Sequence, residues 1–205
     1  RAPRRLTVEG SALRLFVAVV PPEAWLDRVA AYAQALQRSA DLPRSRWVQP
    51  GRHHATLRFL GDTPRAALPG LRAAVDATAE AVANDSAQLG FTTLLAIPPR
   101  SPHVLALEPD ADSAAWLTQT RARLDRSIAD LAPDVGPPEA RPLRPHLTLA
   151  RFKARPPRSL RLVALPAPPR ERFAAALALV SSELTPAGPN YTVLAGGPER
   201  SRSTG

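Results

Sequence analysis

Two segments of the chain, His54-Ala55-Thr56-Leu57-Arg58-Phe59 and His146-Leu147-Thr148-Leu149-Ala150-Arg151, share the pattern His-x-Thr-Leu and begin 92 residues apart. Both read as β-strands with one apolar face. Side chains at i and i+2 of a strand point to one side. Each strand therefore offers an imidazole beside a hydroxyl while its flanking apolar residues enter a core. Two such strands facing each other make a cleft with two imidazoles and two hydroxyls, which is what hydrolysis of a phosphodiester without a metal requires. A neutral imidazole takes a proton from water, and an imidazolium gives one to the leaving oxygen. The hydroxyls hold the non-bridging oxygens as charge builds on them. One His-x-Thr alone would mean little, because threonine is simply a good strand residue. Two copies, using two of the only four histidines, carry the argument.

The rest of the composition narrows the chemistry. Cysteine is absent, so disulfides, thiolate nucleophiles and Cys-based metal or iron–sulfur sites are excluded. No acidic cluster stands beside the histidines in sequence, which argues against a metal site and leaves no cofactor to expect. No apolar run approaches the ~18–20 residues that span a bilayer, and the N-terminus is Arg-rich rather than apolar. A cytoplasmic protein with no membrane association is the expectation, and a monomer. At 205 residues the chain can bury a core as one large domain or two lobes. Its net charge is +9, and Lys153 is the only lysine. Arginine suits bidentate phosphate contacts. Between Arg141 and Arg161 lie seven basic residues and no acid, Arg155 and Arg158 among them. This run around the second motif is a candidate guide for RNA phosphates.

Residues 1–12 read as a disordered basic tail and 196–205 as a second one. Leu13–Val20 is an apolar, β-rich strand stopped by Pro21-Pro22. A helix follows over 23–38, with Leu26, Val29, Ala33 and Leu36 at helical spacing. A short extended piece at Trp47-Val48 precedes the strand His54–Leu60, which Gly61-Asp62 closes. A helix covers 69–83, strands cover 88–97 and 103–107, and Ser113 caps a helix to about Leu131. The strand at 146–152 follows a Pro-rich loop. Residues 173–184 form a strand that turns at 186–189 into 191–194. Strands and three helices joined by hairpin-like turns predict a mixed α/β fold.

The repeated His-x-Thr-Leu resembles the signature of the 2H phosphoesterase superfamily. Its surroundings are similar to the RNA 2′,3′-cyclic phosphodiesterases, also called 2′-5′ RNA ligases, of bacteria and archaea. The stretches that carry the likeness are LRLFVAVVPP at 13–22, RWVQPGRHHATLRFLGD at 46–62, LRPHLTLARF at 143–152 and SSELTPAGPNYTVL at 181–194. Residues 91–107, FTTLLAIPPRSPHVLAL, depart from the family's usual Gly- and Phe-containing strand. The resemblance implies an α+β fold over 13–195. In it two pseudo-symmetric lobes, each an antiparallel sheet with outer helices, flank an active-site cleft. It implies His54, Thr56, His146 and Thr148 as the catalytic quartet, Arg151 as a phosphate contact and Phe59 as an aromatic that stacks on a base. Strict alternation would turn Phe59 and Arg151, each five residues after its histidine, away from the cleft, so a bulge, twist or strand end must intervene.

The implied activity is metal-independent opening of a 2′,3′-cyclic phosphate on an RNA end or nucleotide to a 2′-phosphate, with His146 as base and His54 as acid. Reversible joining of RNA through a 2′-5′ bond is the second activity the resemblance implies. An RNA-end binding module with little turnover and a phosphodiesterase for small cyclic nucleotides are the alternatives. His53, alternating away from His54, is expected at a solvated edge and His103 at the surface. Trp47 and Tyr191 are expected in core or rim packing.

Overall fold

Ten strands and three helices make up the computed structural model, which describes residues 12–39, 42–83, 87–153, 162, 165–186 and 188–198. The strands are β1 (Ala12–Val19), β2 (Ser45–Trp47), β3 (Ala55–Pro64), β4 (Gln88–Leu89), β5 (Phe91–Ile97), β6 (Val104–Pro109), β7 (Leu147–Phe152), β8 (Phe173–Ala174), β9 (Leu177–Thr185) and β10 (Gly188–Gly196). The helices are α1 (Glu23–Gln37), α2 (Leu68–Ala83) and α3 (Ala111–Leu131). Most of the two expected tails, 1–11 and 199–205, lies outside the described residues, as do Arg155, Arg158 and Arg161 of the basic run. Among the described residues no helix is long and apolar enough to cross a membrane.

The fold is α+β, with an eight-stranded sheet in the order β10-β9-β1-β3-β7-β6-β5 and β2 added on β7. Every pairing in it is antiparallel. Its halves, β10-β9-β1-β3 and β7-β6-β5, join edge to edge through one paired position, Ala55 with Leu147. The two sheets expected from the sequence are thus continuous at their centre. Beyond Leu147, the edge of β7 not facing β6 takes up β2, with Arg46 opposite Arg151 and Trp47 opposite Ala150.

Burial assigns the two faces of the sheet. Leu15, Val17 and Val19 of β1 join Leu57, Leu107, Leu147, Leu149 and Leu179 in the main core, against Trp25, Val29 and Leu36 of α1, Leu71 and Val75 of α2, and Leu117, Leu124 and Ile128 of α3. Phe16 and Ala18, the alternate residues of β1, form a separate cluster with Ala178 and Val180 on the other face. Helices cover the first face, and the second is where the site lies.

Several local details differ from the sequence reading. Asp110, not Ser113, caps α3: its side chain accepts from the Ser113 amide at 2.9 Å. The Ser113 hydroxyl instead accepts from the Gly90 amide at 2.9 Å. Leu131, the last residue of α3, is 45% exposed although it ends a helix whose Leu117, Leu124 and Ile128 are buried. Gly61-Asp62 does not end β3, because Gly61 takes φ +66 within it and the strand runs on to Pro64. Such positive φ comes at no steric cost to glycine. Pro69 sits in the first turn of α2, after a 3-10 turn at Arg65–Ala67, where no amide hydrogen is needed.

Candidate active site

The pairing of Ala55 with Leu147 organises the site. Each is the residue after a motif histidine, and the strands run antiparallel. Continued one residue each way, this register sets His54 across from Thr148 and Thr56 across from His146. The two motifs are therefore related by a pseudo-twofold axis through the central pair. The four expected catalytic residues thus meet at the seam between the half-sheets.

The imidazoles are held alike. His54 Nδ1 lies 2.9 Å from the Arg52 carbonyl oxygen, and His146 Nδ1 lies 2.9 Å from that of Arg144. A carbonyl only accepts, so Nδ1 donates in both rings and Nε2 is the nitrogen free to take or give a proton. Burial lowers the His54 pKa below its usual 6.5, the Arg52 carbonyl opposes this, and the charge of His146 lowers it further. The two rings are therefore within reach of one another's charge. His54 also touches Phe16, with ring centres 4.9 Å apart, and meets Tyr191 edge to face at 5.2 Å.

Matched bulges settle the orientation of Phe59 and Arg151. Against β1, Thr56 pairs with Ala18, Arg58 with Val17 and Phe59 with Phe16, leaving Leu57 as an extra residue. Against β6, Thr148 pairs with Ala106, Ala150 with Leu105 and Arg151 with Val104, leaving Leu149 extra. Each bulge falls three residues after its histidine and resets the alternation. In both strands two consecutive residues, Leu57-Arg58 and Leu149-Ala150, are buried, and the next turns back to the cleft. Phe59 is 61% exposed and lies 6.1 Å, ring to ring, from Phe16.

A buried ionic network holds the first bulge. Arg58, 4% exposed, donates to Asp125 Oδ1 at 3.0 Å and to the Gly136 carbonyl at 2.7 Å. Arg121 donates to Asp125 Oδ2 at 2.6 Å and to the carbonyl of Leu57, the bulged residue, at 2.8 Å. One carboxylate on α3 thus balances two guanidiniums that grip β3 where it deforms.

Other sequence expectations divide. His53 is 1% exposed rather than solvated, and neither ring nitrogen has a hydrogen-bond partner. The strand does turn it from the cleft, but into the interior. Burial and the neighbouring His54 lower its pKa to about 4. His103 is exposed, as expected. Trp47 packs at the margin of the core, whereas Tyr191 stands at the site against His54 and Phe16. Part of the basic run is neutralised, since Arg144 lies 3.8 Å from Glu108 and Arg141 lies 3.7 Å from Glu139. Arg14 and Arg52, which the motifs do not single out, both act electrostatically on Tyr191. The sequence signal for Arg14 is its two-residue offset from Phe16. That for Arg52 is its place two before His54, matched by Arg144 before His146. Among the described residues no group of three or more His, Asp or Glu side chains is placed to hold a metal ion.

Residues 20–186 match the family described as the 2′-5′ RNA ligase superfamily. The chain is 34% identical over 185 residues to the RNA 2′,3′-cyclic phosphodiesterase of Thermus thermophilus, covering 89% of this chain and 88% of that protein. The crystal structure of TT0787 from Thermus thermophilus superposes with a TM-score of 0.66 at 28% identity, over 90% of this chain and 97% of that one. That of apo LigT from E. coli gives 0.61 at 23% identity, over 91% and 97%.

Proposed function

Because the chain belongs to the 2′-5′ RNA ligase superfamily, we propose that it hydrolyses 2′,3′-cyclic phosphates at RNA ends or on nucleotides, giving 2′-phosphates. The observation that carries this reading is the pairing of the two motifs at Ala55 and Leu147, with two imidazoles that each bind a backbone carbonyl through Nδ1 and keep Nε2 free. Water attacks phosphorus as His146 Nε2 takes its proton. The bond from phosphorus to O3′ breaks, and His54 Nε2–H supplies the proton to the leaving O3′. Thr56 and Thr148 donate to the non-bridging oxygens as their charge grows, and Arg151 adds a guanidinium on the same side. Phe59 offers an open aromatic face for the base. With an RNA 5′-hydroxyl in place of water as the nucleophile, the same groups close a 2′-5′ linkage as O3′ leaves, and the reverse step opens it.

The acid and base come from the protein's own side chains, so no metal is assigned a role. The test is incubation with 2′,3′-cyclic nucleotides and cyclic-phosphate-ended RNA in the presence of EDTA, with identification of the product isomer. A 2′-phosphate formed in EDTA is expected. Loss of turnover restored by a divalent ion would overturn the two-histidine mechanism. Binding without turnover would make the cleft a recognition module for RNA ends.

A further inference from the structure

We propose that Arg14 and the Tyr191 hydroxyl, with the charge of Arg52 behind them, form a second phosphate subsite. It would take the phosphate joined to O5′ of the nucleotide whose cyclic phosphate lies between the histidines. The proposal deepens the hydrolytic reading and rests on it for the placement of the first phosphate.

The strand faces lay out the path. Along β1, Ala18, Phe16 and Arg14 alternate onto the cleft side, where Ala18 pairs with Thr56, Phe16 with Phe59 and Arg14 with Asp62. From Ala18, level with the quartet, to Arg14 is four residues, about 13 Å at ~3.3 Å per residue. An arginine side chain reaches back over about half of that. The cleft thus presents, in order, the imidazole–hydroxyl quartet, the exposed ring of Phe59 and a guanidinium. This is the sequence of groups that a terminal phosphate, its nucleoside and the next phosphate would meet.

Tyr191 closes the layout from the other side. Its ring lies 5.3 Å from that of Phe16 and 5.2 Å from that of His54. Arg52 donates to the Pro189 carbonyl and, at 3.5 Å, to Asn190 Oδ1, which holds its charge beside the residues leading into Tyr191. Tyr191 pairs with Ser182, and Ser181 with Leu15, so Tyr191 and Arg14 stand at one level of the sheet two strands apart. Burial raises the Tyr191 pKa, and the charges of Arg151, Arg52 and Arg14 oppose that rise.

The charge here is unbalanced. Arg28, Arg58, Arg121 and Arg172 elsewhere each pair with a carboxylate. Among the described residues Arg14, Arg52 and Arg151 make no ion pair. Asp62, opposite Arg14 in register, forms none with it. Arg14 and Arg52, beside a site already facing one phosphate, suit a ligand with a second anionic group.

The test is calorimetric titration of the full chain with products, which bind without turnover: adenosine 2′-phosphate, adenosine 2′,5′-bisphosphate, and a dinucleotide ending in a 2′-phosphate. The bisphosphate is expected to bind about tenfold tighter than the monophosphate at low salt. Arg14→Gln, an exposed position, should cut that advantage to about threefold or less, and Arg14→Lys should keep most of it. A gain shared by the dinucleotide assigns the subsite to an RNA chain, and one confined to the bisphosphate assigns it to free nucleotides. Equal affinities in the wild type, or an undiminished preference in Arg14→Gln, would overturn the proposal. Preference for the bisphosphate without turnover of any cyclic phosphate would sink the hydrolytic reading and leave the subsite. Turnover with no such preference would do the reverse.

Discussion

The hydrogen bond from each Nδ1 to a carbonyl two residues back fixes the tautomer of both histidines, so Nε2 is the nitrogen each keeps free. His54→Ala and His146→Ala should each cost about 10² to 10⁴ in kcat, the usual worth of a positioned acid or base. Near-normal turnover in either would remove the quartet from the mechanism. The acid must also be loaded with its proton. In the empty cleft burial and then the charge of His146 hold His54 low, with only the Arg52 carbonyl opposing them. A bound phosphate anion favours the imidazolium and raises that pKa. The alkaline limb of kcat/KM, which reports the free protein, should therefore lie at lower pH than the alkaline limb of kcat. Coincident limbs would show that His54 is not the acid. His53 makes a separate prediction about stability. Its folded pKa of about 4 lies below the ordinary 6.5, so between those values the unfolded chain binds more protons at this ring. Stability is complete above about pH 6.5 and falls as pH drops towards 4, by up to about 3 kcal/mol. His53→Leu should flatten the fall in urea midpoint between pH 7 and pH 4.5. An unchanged fall would assign the acid sensitivity elsewhere.

Among the elements, the regular runs were legible and their deformations were not. The apolar stretch LRLFVAVV and the helical spacing of Leu117, Leu124 and Ile128 announce β1 and α3 directly. The bulges at Leu57 and Leu149 carry no local signal, because an extra leucine in an apolar strand looks like the leucine it displaces. What holds the first bulge is tertiary: Arg121 and Arg58 converge from two elements on Asp125 and the Leu57 carbonyl. Sequence alternation would instead have turned Phe59 away. Removing a carboxylate that balances a buried guanidinium leaves an uncompensated charge, at a cost of about 3 kcal/mol. Asp125→Ala should lower the unfolding free energy by about that amount in a denaturant titration. A loss below about 0.5 kcal/mol would mean that water or another group already serves Arg58.

For the whole molecule, the excess of basic residues belongs to the description of partners rather than of the fold. Part of the Arg141–Arg161 run is balanced by Glu108 and Glu139, one distant in sequence and one just outside the run. Arg155, Arg158 and Arg161 remain the basic residues on which a guide role for long RNA rests. Replacing all three with Gln should make the logarithm of RNA affinity fall less steeply with the logarithm of salt concentration, by about one unit of slope for each phosphate no longer neutralised. Binding of a cyclic mononucleotide should change little. An identical slope in the variant would leave these residues as a solvated loop.

By itself the sequence determined the chemistry: which side chains could react, their pairing as imidazole and hydroxyl on one strand face, and the absence of cysteine. Those follow from residue identity and a two-residue period, which are local properties. Tertiary structure decided the register of Ala55 on Leu147, and with it the meeting of the two motifs at the seam. It also buried His53, brought Tyr191 onto His54 and set Arg52 against Pro189 and Asn190. Each of these depends on contacts between residues far apart in the chain, and pairing between distant strands is set by which surfaces bury together rather than by any one segment's preference.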